Sequence, residues 1–92
     1  MTQVQFNDDG SVSLSGEFNI FAASALYSAL CPIFTDEPSE LVIDLSGITE
    51  IDTAGLQLLL AVRAAVPKSQ VHSCPPVVRD FIERVGLTQV LT

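Results

Sequence analysis

The chain has 92 residues, a formal net charge of −7, and 48% hydrophobic against 16% charged residues. This is the composition of one packed globular domain spanning 1–92, not of a disordered acidic tail. Nine of the eleven acids and none of the four bases fall in residues 1–62, so the chain is unfit to neutralise a run of phosphates, which excludes nucleic-acid binding and a polybasic membrane anchor.

Residues 1–10 lack the basic start and apolar run of a signal peptide. The longest apolar stretch, near residues 56–66, falls short of the ~20 residues of a bilayer span, so no membrane insertion is expected. Cys31 and Cys74 sit in no metal-binding spacing and read as reduced thiols of a cytoplasmic protein.

Along the chain, Val4, Gln5 and Phe6 and then Val12, Ser13 and Leu14 alternate apolar and polar residues around an Asp9-Gly10 turn, which predicts a β-hairpin. Gly16 breaks that pattern. Asn19 is placed to cap a helix whose apolar positions Phe21, Ala22, Ala25, Leu26, Ala29 and Leu30 recur at steps of three and four. Pro32 should end or distort it, and residues 35–39 read as a loop. Residues 41–45 are almost continuously apolar, as suits a strand buried on both faces. Ser46-Gly47 reads as a turn and residues 48–51 as its continuation. Asp52 precedes a helix over 53–66, so apolar that most of its sides should be covered, and Pro67 closes it. A short strand at 70–73, then a helix over 77–85 opened by Pro75-Pro76 and ended by Gly86, complete the order β-β-α-β-α-β-α. The fold class is therefore α/β, a mixed sheet of about four strands with covering helices.

Enzymatic constellations are poor. His72 is the sole histidine, no triad pattern accompanies it, and His72 with Cys74 lacks the second ligand pair of a structural zinc site. Neither glycine-rich nucleotide loop, G-x-G-x-x-G nor G-x-x-x-x-G-K-[ST], occurs, so no cofactor or metal is expected. A phosphoacceptor role for Asp44 is disfavoured because the chain is short for a receiver domain, lacks the acidic pair after a first strand that leads into a helix, and has Lys68 as its only lysine. One segment remains: a buried strand from Asp44, a polar corner, and the start of an apolar helix at Thr53. Free backbone N–H groups and the positive end of a helix dipole gather there. Asp52 caps them, Thr53 presents a hydroxyl, and Gly55 allows a close backbone approach. A plain capped helix start gives the same pattern without any function.

Residues 41–60 resemble the signature of the STAS family, the anti-sigma factor antagonist domains: D-x-S-x-[apolar]-x-x-[apolar]-D-[ST]-[SAG]-G-L, matched by Asp44, Ser46 or Gly47, Ile48, Ile51, Asp52, Thr53, Gly55 and Leu56. Gly16-Glu17, the run Cys74-Pro75-Pro76-Val77-Val78-Arg79 and Gly86-Leu87 are similar to further family segments, so the resemblance covers nearly the whole chain. It implies a STAS fold and no catalysis. It also implies that Thr53, directly after the motif aspartate, is phosphorylated by an anti-sigma factor that is also a serine kinase. The unphosphorylated domain would capture that partner and the phosphorylated one release it.

Ser46, Glu50, Asp52, Thr53, Ala54 and Gly55 are then the candidate partner-binding residues. Other members of the family grip the ATPase of a phospholipid-transporting ABC system or serve chemotaxis and signalling proteins, which leaves an unphosphorylated subunit as the alternative. Thr in place of the commoner Ser, Ala54 in place of a second hydroxyl, and the trimming of the first helix at Pro32 and of the last strand depart from the family pattern. Asp44, Glu50 and Asp52 together suggest an acidic docking surface that faces a basic groove on a protein partner.

Overall fold

The computed structural model describes residues 2–91. Strands β1 (Gln3–Phe6), β2 (Ser11–Phe18), β3 (Leu41–Ile51) and β4 (Ser69–His72) form one sheet in the order β1-β2-β3-β4. Helices α1 (Ala23–Asp36), α2 (Thr53–Ala65) and α3 (Pro76–Arg84) alternate with the strands, and a 3₁₀ turn, Thr88–Leu91, follows. β1 and β2 are antiparallel, while β2, β3 and β4 are parallel. The expected class and element order are those observed. The final 3₁₀ turn has no counterpart in the sequence reading.

Each parallel pair is joined through one helix and the strand order advances in one direction, so right-handed crossovers put α1 and α2 on the same face. Burial follows. Val12, Leu14 and Phe18 of β2 and Leu41, Ile43 and Leu45 of β3 form one core with Leu26, Leu30 and Ile33 of α1, Leu56, Leu59 and Val62 of α2, and Val78 and Ile82 of α3. The intervening Ser11, Ser13, Ser15, Val42 and Asp44 are half-buried on the opposite face. β3 is thus buried on one face, not two, because all the helical cover lies on one side. For the same reason α2 buries one stripe, and Leu58 and Leu60 are only partly covered.

The hairpin turn spans Asn7 to Gly10, the Gly10 N–H donating to Asn7 O and the Asn7 N–H to Ser11 O. Asp9 Oδ1 accepts from the Ser11 hydroxyl and backbone N–H, and the Ser11 hydroxyl first, then its N–H, hold the Asp9 carboxyl below its ordinary value.

Gly16 does not end β2. It sits inside the strand at φ +86, where the pairing with β3 shifts register twice, between Ser13 and Ser15 and between Gly16 and Glu17. At each shift β3 carries an extra residue, so Ser46-Gly47 is a bulge in a continuous strand and not a turn. The bulges lengthen the spacing of buried residues from two, at Leu41, Ile43 and Leu45, to three, at Leu45, Ile48 and Ile51.

α1 begins at Ala23, and Asn19 caps the turn before it, Oδ1 accepting from the Ala22 N–H. Phe21 lies on that turn and is 92% exposed. Pro32 lies within α1 without ending it, and the helix runs on to Asp36, so 35–36 are helical and not loop. Pro32 and Ser28, the residue whose carbonyl loses its donor, are both exposed, while Leu30 and Ile33 anchor the core side across the proline.

Gly55 leaves less room for a side chain than Gly10, Gly47 or Gly86. A Cβ placed on it would lie 2.0 Å from Phe18 O and 2.8 Å from Phe18 C, both backbone atoms. Gly55→Ala should therefore separate α2 from the end of β2 and destabilise the protein by about 3 kcal/mol, measured as a lowered denaturation midpoint; unchanged stability would contradict this packing.

Candidate functional site

The ends of β2 and β3 lie side by side, Phe18 opposite Ile51 and Glu17 opposite Glu50. The chain leaves β2 through a turn over residues 19–22 and leaves β3 through Asp52 alone. Asp52 has extended dihedrals, φ −132 and ψ −171, as an N-cap requires. Its N–H donates to Phe18 O at 3.2 Å and its carbonyl accepts from the Leu56 N–H at 2.9 Å. Its carboxylate divides: Oδ1 accepts from the Gly55 N–H at 3.1 Å and Oδ2 from the Ile20 N–H at 2.9 Å. One residue thus ties the end of β2, the turn before α1 and the start of α2.

A second link runs beside it, where Asn19 Nδ2 donates to Glu50 Oε2. Thr53, the first residue of α2, is exposed. Among the described residues no hydrogen bond engages the Thr53 or Ala54 N–H, so two orphan amides and the helix dipole face outward beside the hydroxyl. Glu17 and Glu50 lie across the strand pair from each other, and the Glu17 carboxyl is held below its ordinary value, chiefly by its own backbone N–H. Glu50, two residues before Asp52, is the acidic neighbour of that cap.

Of the residues singled out from sequence, the structure brings Glu50, Asp52, Thr53, Ala54 and Gly55 together. Gly55 is buried in the α2–β2 contact and Ala54 is half-buried. Ser46 is exposed but lies six residues back along β3, roughly 20 Å by strand rise. Asp44 lies farther still, its Oδ1 accepting from the Ser46 N–H. The acidic corner therefore consists of Glu50 and Asp52 without Asp44.

Sequence reading missed what lies beside the corner. A groove of about 520 Å³ runs between α1 and α2, lined by Ile20, Ala23, Ser24, Tyr27, Ala54, Gln57, Leu58 and Ala61. Ile20 and Tyr27 are large apolar residues left 61% and 54% exposed. The three-and-four spacing puts Phe21 on the apolar face of a helix, whereas Phe21 and its neighbour Ile20 are exposed on the turn before α1.

The remaining candidates stay apart. His72 Nε2 and Gln70 Oε1 lie 3.3 Å apart, and both cysteines are free. No group of three or more His, Cys, Asp or Glu among the described residues is arranged to hold a metal, and no helix among them is long and apolar enough to cross a membrane.

A four-stranded sheet covered on one face by helices, with an Asp-capped helix opening on an exposed hydroxyl residue, defines a STAS-type domain. The family model described as "Mlab, STAS domain" matches residues 2–92, and the chain belongs to that family. The anti-sigma-F factor antagonist RsfB of Mycobacterium tuberculosis is 32% identical over 69 residues, covering 75% of this chain and 57% of that protein, so the chain spans a little over half the relative's length.

The crystal structure of an anti-sigma factor antagonist from Mycobacterium paratuberculosis superposes with a TM-score of 0.79 at 33% identity, covering 99% of this chain and 81% of that one. The Bacillus cell fate determinant SpoIIAA in its phosphorylated form shares the fold at a TM-score of 0.69 and 15% identity, over 100% of this chain and 89% of that one.

Two expectations follow. Sequence alone credits Asp52 with one cap, whereas the structure gives its carboxylate two backbone donors. Asp52→Ala should cost about 2 kcal/mol, and Asp52→Asn, which retains one acceptor oxygen, about half of that; equal losses in chemical denaturation would refute the divided carboxylate. Burial pushes the Cys74 thiol above its ordinary value, with Arg79 acting in the opposite sense. A raised value means less thiolate at a given pH, so in a Cys31→Ser background Cys74 should alkylate more slowly than free cysteine at pH 8 and accelerate as the pH rises.

Proposed function

We propose that this chain is the binding module of an anti-sigma factor antagonist, acting in the cytoplasm without catalysis of its own. Its hold on an anti-sigma factor with serine-kinase activity is switched by phosphorylation of Thr53. The observation that carries this reading is an exposed hydroxyl on the first residue of a helix whose start is already fixed by Asp52. Membership of the STAS family and the names of the relatives at 32% and 33% identity support the partner class. The phosphorylated form of SpoIIAA supports the compatibility of this fold with such a modification.

The physics of the corner agrees. A phosphate on Thr53 brings about −1.5 to −2 charges next to Glu50 and Asp52. The Thr53 and Ala54 amides and the helix dipole let the fold tolerate it. A partner that docks basic groups against this corner meets instead a stronger negative field and the cost of stripping water from phosphate. Such a switch works through affinity, and a coupling of about 1–3 kcal/mol changes binding roughly 5- to 150-fold. Asp52, Thr53, Ala54 and Glu50 form the contact, while Gly55 holds them in place from beneath.

Incubation with the anti-sigma factor kinases of the same genome and ATP, followed by intact mass, tests the reading. One phosphate should be gained by the native chain and none by Thr53→Ala. Thr53→Ala should keep the partner, whereas Thr53→Glu should weaken binding about tenfold. No phosphate, together with a stable complex with the ATPase of an ABC transporter, would instead make the protein a constitutive subunit. Equal affinity of the two variants would remove the electrostatic switch.

A further inference from the structure

We infer that the groove between α1 and α2 is the apolar half of the docking surface and that it takes an amphipathic helix with basic flanks from the partner protein. The inference rests on the reading of the corner as a partner site and adds to it where the partner's apolar contacts go. The groove begins at the corner itself, since Ile20 and Ala54 line it while the Ile20 N–H is held by Asp52 and Ala54 follows Thr53.

From there Ala23, Ser24 and Tyr27 on one wall and Gln57, Leu58 and Ala61 on the other recur at helical spacing. The groove is thereby carried about 10 Å along α2. Four of the lining side chains are alanine or serine, so a helix backbone is able to approach closely. Tyr27 is half-exposed yet held in place by its ring stacked on Phe34, with centroids 5.7 Å apart and planes at 24°. A large aromatic fixed at the rim of an apolar groove is the usual anchor of a helix-in-groove interface.

Charge selects the occupant. The lining contains no ionised side chain, and the charges at its head are Glu50 and Asp52. α1 contains no Lys or Arg, and the one base of α2, Arg63, donates to Val90 O at 2.7 Å. The surface thus offers apolar contacts bounded by negative charge with no base turned to offset it, and its complement is a leucine-rich stripe edged by Lys or Arg. A second copy of this chain, at net charge −7, carries the wrong sign.

The test uses the whole chain and a synthetic helix of about 14 residues, with leucines at i, i+3, i+4 and i+7 and lysines elsewhere. Its control has glutamates in place of the lysines. In heteronuclear NMR the lysine peptide should shift the amides of Ile20, Ala23, Ala54 and Ala61, and the glutamate peptide should not. Ala61→Glu, at an exposed position remote from Thr53, and Tyr27→Ala should each weaken binding about tenfold, with unchanged circular dichroism showing that the fold survives. Absence of binding, equal binding of the two peptides, shifts on the open sheet face, or self-association in sedimentation that Ala61→Glu abolishes would each overturn the proposal. No kinase is present, so the two readings fail separately. Peptide binding without phosphorylation defeats the Thr53 switch alone, and phosphorylation without peptide binding defeats the groove alone.

Discussion

The carboxylate of Asp52 is the constraint on which the functional end of the molecule depends. Its two oxygens accept from backbone N–H groups that belong to different elements, Gly55 in α2 and Ile20 before α1. Its own N–H reaches the carbonyl of Phe18 at the end of β2. Three chain segments that meet nowhere else in sequence are thus referred to one residue. The absence of a side chain at Gly55 completes the arrangement, because the backbone of Phe18 occupies the space a Cβ would take. Position and exposure of Thr53 are consequences: the hydroxyl projects from a helix whose first turn has no freedom to slide.

The one-sided architecture has the same functional direction. Because the strand order advances steadily, the crossover helices share a face, and α1 and α2 become neighbours with their N-termini at the same edge of the sheet. The acidic corner and the apolar groove are therefore continuous. A fold with helices on both faces would have separated them. In the proposed function, negative charge at the helix start would govern encounter and switching, and the apolar surface along its length would supply the area that holds a partner.

The architecture was legible because most elements carry their own signal: alternation in the hairpin, three-and-four spacing in α1, and dense apolar runs in β3 and α2. The corner was legible for a related reason, since Asp52, Thr53 and Gly55 lie within four residues and a cap is a local device. What escaped depended on contacts distant in sequence. The bulges of β3 look like a turn at Ser46-Gly47, although the change of buried spacing at Leu45, Ile48 and Ile51 marks them. Pro32 reads as a stop until both it and the carbonyl it orphans prove to face solvent. The Ile20-to-Asp52 link joins positions 32 residues apart and leaves no periodic trace, and with it the groove stayed hidden. Asp44 and Ser46 were grouped with the corner by the linear motif, whereas an extended strand carries them away from it.

The lengths of the strands have a consequence for how the protein behaves in concentrated solution. Sheet edges are templates for unwanted pairing between molecules, and here both edges, β1 and β4, are four residues long, while the eleven-residue β3, with its apolar Leu41-Val42-Ile43 start, is enclosed between β2 and β4 at that end. Val42 and Ile43 are therefore flanked by strands on both sides, and the two short edge strands each offer a neighbour only a few hydrogen bonds. A formal net charge of −7 adds repulsion between like copies, which opposes such pairing even though an apolar groove is left exposed.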